Sequence, residues 1–160
     1  MPLMEVDFVR DQALAFLRKG MPNKARAFAR TSLGTLHELE GTVDPAEFYN
    51  RLAAHDMLMG RISLALGEAK EAEALHRGAD QQFRGLGDQA NKQWELNNGF
   101  HWLRAAAAAG EHVNWRFAQF NWVIDKDPNR TRRLRAHLLM QFGRAAYRLD
   151  ERLMRLRFTA

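Results

Sequence analysis

Hydrophobic and polar residues almost never alternate one for one along this chain, so half-buried β-strands are not expected. Prolines stand only at Pro2, Pro22, Pro45 and Pro128, each at a helix start or in a loop. The pattern predicts an all-α protein of about seven helices. The first covers about 5–19 and stops at Gly20; the second follows Pro22 and runs to about 40, before Gly41. The third opens at DPAE, where Asp44 caps, Pro45 suits the first helical position and Glu47 completes a capping-box-like arrangement. It continues to Leu66, and Gly67 is the left-handed stop. The fourth covers about 69–84 and closes in RGLGD, the fifth about 89–109 before Gly110, and the sixth 111–124 before DKDP. The seventh starts near Asn129 and reaches about Arg157.

Short loops between these helices imply antiparallel pairs, and two of the pairs share a pattern. Gly20 is followed by Ala25 at +5 and Ser32 at +12; Gly67 is followed by Ala72 at +5 and Ala79 at +12. Small residues seven apart lie on one helix face and let two helix backbones approach closely. Residues 56–88 add Gly60, seven before the loop glycine, preceded by Met59. With the ending FRGLGD and the following LNNG, this stretch resembles the tetratricopeptide repeat family, including bacterial versions of it. Asp56, Ser63 and His76 stand where the family places tryptophan, tyrosine and a second aromatic. Residues 11–40 keep the loop glycine and the small pair but have Ala13 in place of Gly60. After Gly110 both small positions are tryptophan, Trp115 and Trp122, facing the run of five alanines at 105–109; a core role is expected for both, an exposed anchor for a partner being the alternative. The loop glycines are 47 and 43 residues apart, longer than the family period of about 34.

The resemblance implies one domain over 1–160, with units at about 5–40, 45–84 and 89–125 and a long C-terminal capping helix at 129–157. It implies hairpins stacked as a right-handed superhelix, whose concave face generally binds peptides or protein segments. The positions that the family's geometry places on that face are Met57 and Arg61, with Asn97, Asn98, His101 and Arg104 as polar contacts in the next unit. The basic and asparagine residues with which some family members clamp a terminal carboxylate are not recognisable, so a C-terminal-peptide receptor is not expected.

Composition narrows the chemistry. The absence of cysteine excludes disulfides, thiolate nucleophiles and cysteine-ligated zinc. The stretch HELE at His37 lacks the second histidine of a metalloprotease helix, because Gly41 stands there. GLGDQA, starting at Gly85, matches a dinucleotide fingerprint in letters but follows a helix rather than a strand. EAKEAE, starting at Glu68, reads as a solvated helix face. No catalytic, metal or cofactor site is expected. Acidic Glu5, Asp7 and Asp11 occupy the place where a secretory signal would be basic, and no apolar stretch is long enough to span a bilayer, so a cytoplasmic protein without membrane contact is expected.

Charge adds a second possibility. Residues 126–160 hold ten Lys+Arg against three Asp+Glu, so the whole basic excess of the chain lies there. At about 100° per residue, Arg130, Arg133, His137, Gln141, Arg144, Arg148, Arg152 and Arg155 line one side of the seventh helix, next to a leucine-rich strip. Such a face caps and solubilises a helical stack, or binds an acidic protein surface or nucleic acid through arginine's planar fork. Trp94 and Trp102 pack either within the chain or across a homodimer. The expected function is therefore a protein- or peptide-binding adaptor; the alternative is a nucleic-acid binder using the arginine face. If four of those arginines each neutralise a phosphate, the log–log salt slope on duplex DNA will be about −3.6, and salt-insensitive binding would end that alternative.

Overall fold

The computed structural model describes residues 2–110, and these are helical: α1 (Pro2–Arg18), α2 (Pro22–Glu38), α3 (Pro45–Ala65), α4 (Ala69–Leu86) and α5 (Lys92–Ala108), with a 3-10 turn at Gly87–Gln89. The expected sixth and seventh helices, with Trp115 and Trp122, lie outside the described residues. Adjacent helices pair in chain order, and α3 also touches both α1 and α5. The result is two layers, with α1, α3 and α5 side by side in one and α2 and α4 behind them.

The expected punctuation holds. Asp44 accepts a hydrogen bond from the Glu47 amide (3.1 Å), while the Glu47 side chain turns to Arg51 rather than back to the cap. Gly20 and Gly67 both have positive φ and close their helices with the same bond from the following residue: Met21 N–H to Phe16 O (3.0 Å), and Glu68 N–H to Ser63 O (2.9 Å). One boundary differs. The fifth helix begins at Lys92 instead of about 89, because a 3-10 turn follows α4 and Asn91 caps α5 by accepting from the Trp94 amide (3.1 Å). Asn50 on α3 fixes that turn: its Oδ1 accepts from Asn91 N–H (2.6 Å), and its Nδ2 donates to Gln89 O and Ala46 O (2.9 Å each).

Counted from the loop glycine, the core positions repeat. Fourteen residues before it stand Val6, Ala53 and Leu96, and seven before it Ala13, Gly60 and Leu103; all are buried. Ala25 and Ala72 at +5, and Ser32 and Ala79 at +12, are buried too, as the small-pair pattern requires. Ser32 uses its place to donate to Val6 O across the hairpin (2.9 Å). At +9 the hairpins diverge. Ala29 in the first packs in one cluster with Ala13, whereas the second has His76, which needs the space a side chain at Gly60 would take.

A β-carbon at Gly60 would lie 2.6, 2.8 and 2.9 Å from three atoms of the His76 ring, inside any permitted contact. Gly34 and Gly78, also helical, have nothing within 4 Å of that position. Gly60→Ala should therefore destabilise the protein by about 1–2 kcal/mol, overpacking outweighing better helix propensity. Gly34→Ala and Gly78→Ala should each stabilise it by about 0.5–1 kcal/mol. Urea unfolding of the three variants checks both signs, and a Gly60→Ala protein as stable as the parent would contradict the close contact.

Candidate functional site

The residues expected on the partner-binding face fall into two groups. Met57 on α3 is half-buried against the cluster of Ala53, Ala79, Phe83 and Ala90. Asn97 on α5 is half-buried and accepts from Gln93 Nε2 (3.3 Å). Arg61 and His101 are half-buried and Arg104 is exposed; the three lie close enough to act on one another electrostatically. They sit toward the C-terminal ends of α3 and α5, and Arg18, at the end of α1, joins them.

Asn98 does not belong to this face. It is fully buried, and it locks onto His76 of α4 in both directions. Its Nδ2 donates to His76 O, and its Oδ1 lies 2.9 Å from His76 Nδ1. Since the amide nitrogen is spent on a carbonyl, Oδ1 must accept, and His76 carries its proton on Nδ1. Nε2 is then a bare lone pair, buried without a hydrogen-bond partner, against Gly60. The sequence expectation for Asn98 is thus corrected: an asparagine one residue from a surface position turns inward because a helix places i and i+1 about 100° apart.

Burial pushes the His76 imidazole down to about 4, against the opposing hydrogen bond that its Nδ1–H donates to Asn98; Arg61 and Arg104 add to the depression and Glu73 opposes it. His101, stacked on His76 with ring centroids 6.1 Å apart, is held well below the usual range by burial and then by Arg61, His76 and Arg104. Both rings are neutral at physiological pH. Arg61 is also lowered, first by burial and then by Arg18 and Arg104. Among the described residues no carboxylate pairs with it.

The opposite end of the same face is charge-compensated. Arg51 of α3 makes a bidentate pair with Asp7 of α1 (3.0 and 2.9 Å) and a further bond to Glu47, and Arg10 lies 3.3 Å from Asp7. The Trp94 ring of α5 completes this end, with Arg10 4.6 Å and Arg51 6.0 Å from its centre. Trp102 is buried and donates to Glu73 Oε1 (3.0 Å). Both tryptophans therefore find partners within the chain. Glu73, read from sequence as part of a solvated face, is 2% exposed and also binds Arg77. Its companions behave as expected: Glu71 is exposed, and Glu68 pairs at the surface with Arg26 (2.8 Å).

Among the described residues no group of three His, Asp or Glu side chains is placed to hold a metal. GLGDQA forms the end of α4 and the 3-10 turn, with no strand before it. No described helix is long and apolar enough to cross a membrane. The arginine face expected over 129–157, carrying Arg130, Arg133, Arg144, Arg148, Arg152 and Arg155, lies outside the described residues. Comparison with protein-family models, curated proteins and solved structures returned no match.

Two predictions follow from the buried imidazoles. His76, and His55, which burial followed by His37 also lowers to about 4, bind protons in the unfolded chain at about 6.5 but not in the fold. Their folded values are depressed, so stability is full above about pH 6.5 and is lost as pH falls from there toward about 4. Between about pH 7.5 and 5.5, where carboxylates barely titrate, each should remove about 1 kcal/mol, and a flat thermal midpoint across that window would refute neutral burial. Asn98→Ala, which orphans His76 Nδ1–H and removes the second bond to the His76 carbonyl, should cost about 1–3 kcal/mol in urea unfolding, as expected of a core residue.

Proposed function

We propose that this chain is a non-enzymatic protein- or peptide-binding adaptor or regulatory module of the tetratricopeptide-like type, its hairpins continuing as a right-handed superhelix. The observation that carries the reading is the layer of α1, α3 and α5. Three helices lie side by side and present a continuous face whose half-buried side chains come from all three. A face of this kind has what an extended segment needs: Met57 and Trp94 for apolar contact, Asn97 for polar contact, and cationic side chains at one end. Repetition of the buried positions behind it, counted from the loop glycines, supports a stacked-hairpin build.

The test is capture of partners from the native host by the tagged protein, with and without nuclease, read by mass spectrometry. Met57→Ala, Arg61→Met and Asn97→Ala should each reduce recovery of the same protein by about fivefold or more while circular dichroism stays unchanged. Unaltered recovery with all three would remove this face as the binding surface. Loss of the captured material on nuclease treatment would instead favour a nucleic acid.

A further inference from the structure

The arginines of the described residues divide sharply. Arg10, Arg26, Arg51, Arg77 and Arg84 all hold a carboxylate. Arg18, Arg30, Arg61 and Arg104 hold none among the described residues, and three of these, Arg18, Arg61 and Arg104, are gathered together, one near the end of each helix in the front layer. Arg61 is the telling member. It is half-buried, so its guanidinium has lost part of its hydration, and the charges acting on it are other guanidiniums. Two like charges close to a desolvated cation oppose the fold, and no described neighbour offsets them.

We propose that Arg18, Arg61 and Arg104 form a cationic row that receives the carboxylates of an acidic segment from another protein, lying across α1, α3 and α5. The inference rests on the binding face proposed above and names the chemistry of its partner. His101, neutral and beside Arg61 and Arg104, adds a ring N–H donor for an incoming oxygen. Phe100 supports the Arg104 guanidinium, which lies 5.9 Å from its ring centre.

Charge distribution selects the occupant. Residues 1–110 carry 13 Lys+Arg and 14 Asp+Glu, so the described part is close to neutral and this row is a local concentration of positive charge on the face. A nucleic acid, negative along its whole length, would, among the described residues of this face, find cations only at the row, because at the other end of the face Arg51 and Arg10 are already taken by Asp7 and Glu47. A peptide with its acidic residues at one end meets the arginines there and offers apolar side chains to Met57 and Trp94. Residues 111–160 hold 11 Lys+Arg against 5 Asp+Glu, so an acidic partner segment matches the charge of the chain as a whole as well as that of the row.

The experiment is selection of random dodecapeptides displayed on phage by the full-length protein, followed by titration of a fluorescein-labelled winner. Acidic sequences should dominate, and Arg61→Met and Arg104→Met should each weaken the winner about tenfold, as loss of a partly buried charge-assisted bond does. Arg61→Met should melt at or above the parent temperature, because it removes repulsion while keeping the apolar stem; a purely structural arginine would lower it. Acidic winners that bind both variants unchanged would overturn the proposal by placing the site elsewhere. Non-acidic winners sensitive to Met57→Ala would overturn it while leaving the binding module standing. Failure to select any peptide would count against both. Displacement of the winner by a single-stranded oligonucleotide at equal or lower concentration would reassign the row to nucleic acid.

Discussion

The contact between Gly60 and the His76 ring is the constraint on which the packing of three consecutive helices rests. It draws α3 and α4 together at a point where even a methyl group does not fit, and through His76 it reaches α5. The ring cannot swing aside, because Asn98 grips both its Nδ1 and the carbonyl of the same residue. Three consecutive helices are thus fixed by a missing side chain, an imidazole and an amide. The arrangement leaves Nε2 without a hydrogen bond. Unmet polarity inside a fold is destabilising, and the cost is held down here because the ring stays neutral.

The same knot sets the electrostatics of the front face. A neutral His76 permits His101 to stack on it, and both remain uncharged beside Arg61 and Arg104. Were either imidazole protonated, it would be a further cation beside Arg61 and Arg104, which hold no carboxylate among the described residues. The fold elsewhere provides carboxylates freely: Asp7 and Glu47 for Arg51, and buried Glu73 for both Arg77 and Trp102. The contrast between the two ends of one face is therefore built in by residue choice. It gives the layer a direction, with a neutralised, tryptophan-bearing end and an uncompensated cationic one.

What was legible in the sequence was whatever local rules control. Loop glycines, the Asp44 cap and Pro45 mark helix ends because each acts on backbone within a few residues of itself, and the small positions followed from counting along one helix. Among the site residues, Arg61, His101 and Arg104 were named from the family resemblance, and it is the packing of α3 against α5 that brings them together. Asn98, Glu73 and Asn50 were out of reach for one reason: their partners lie 22 to 41 residues away, on other helices. A polar residue near a helix surface can turn outward to water or inward to a partner, and only the packed neighbour decides which. The start of α5 was misplaced for the same reason, since Asn50 holds the preceding turn from a distance.

The two hairpins also illustrate how a repeat can vary without losing its frame. In the first, Ala13 and Ala29 share one cluster; in the second, the equivalent residues are Gly60 and His76. Volume removed from one helix is returned on the other, which is how close-packed interiors accept change. Deeper in the core, Val6 and Leu36 of the first hairpin correspond to Ala53 and Phe83 of the second, the same trade in apolar form. Polarity follows the larger residue. An Ala–Ala contact has nothing to say to the next helix, whereas His76 carries a donor that must be met, and Asn98 meets it. The substitution that lets the second hairpin hold α5 is therefore the one that carries the buried imidazoles to the edge of the arginine row.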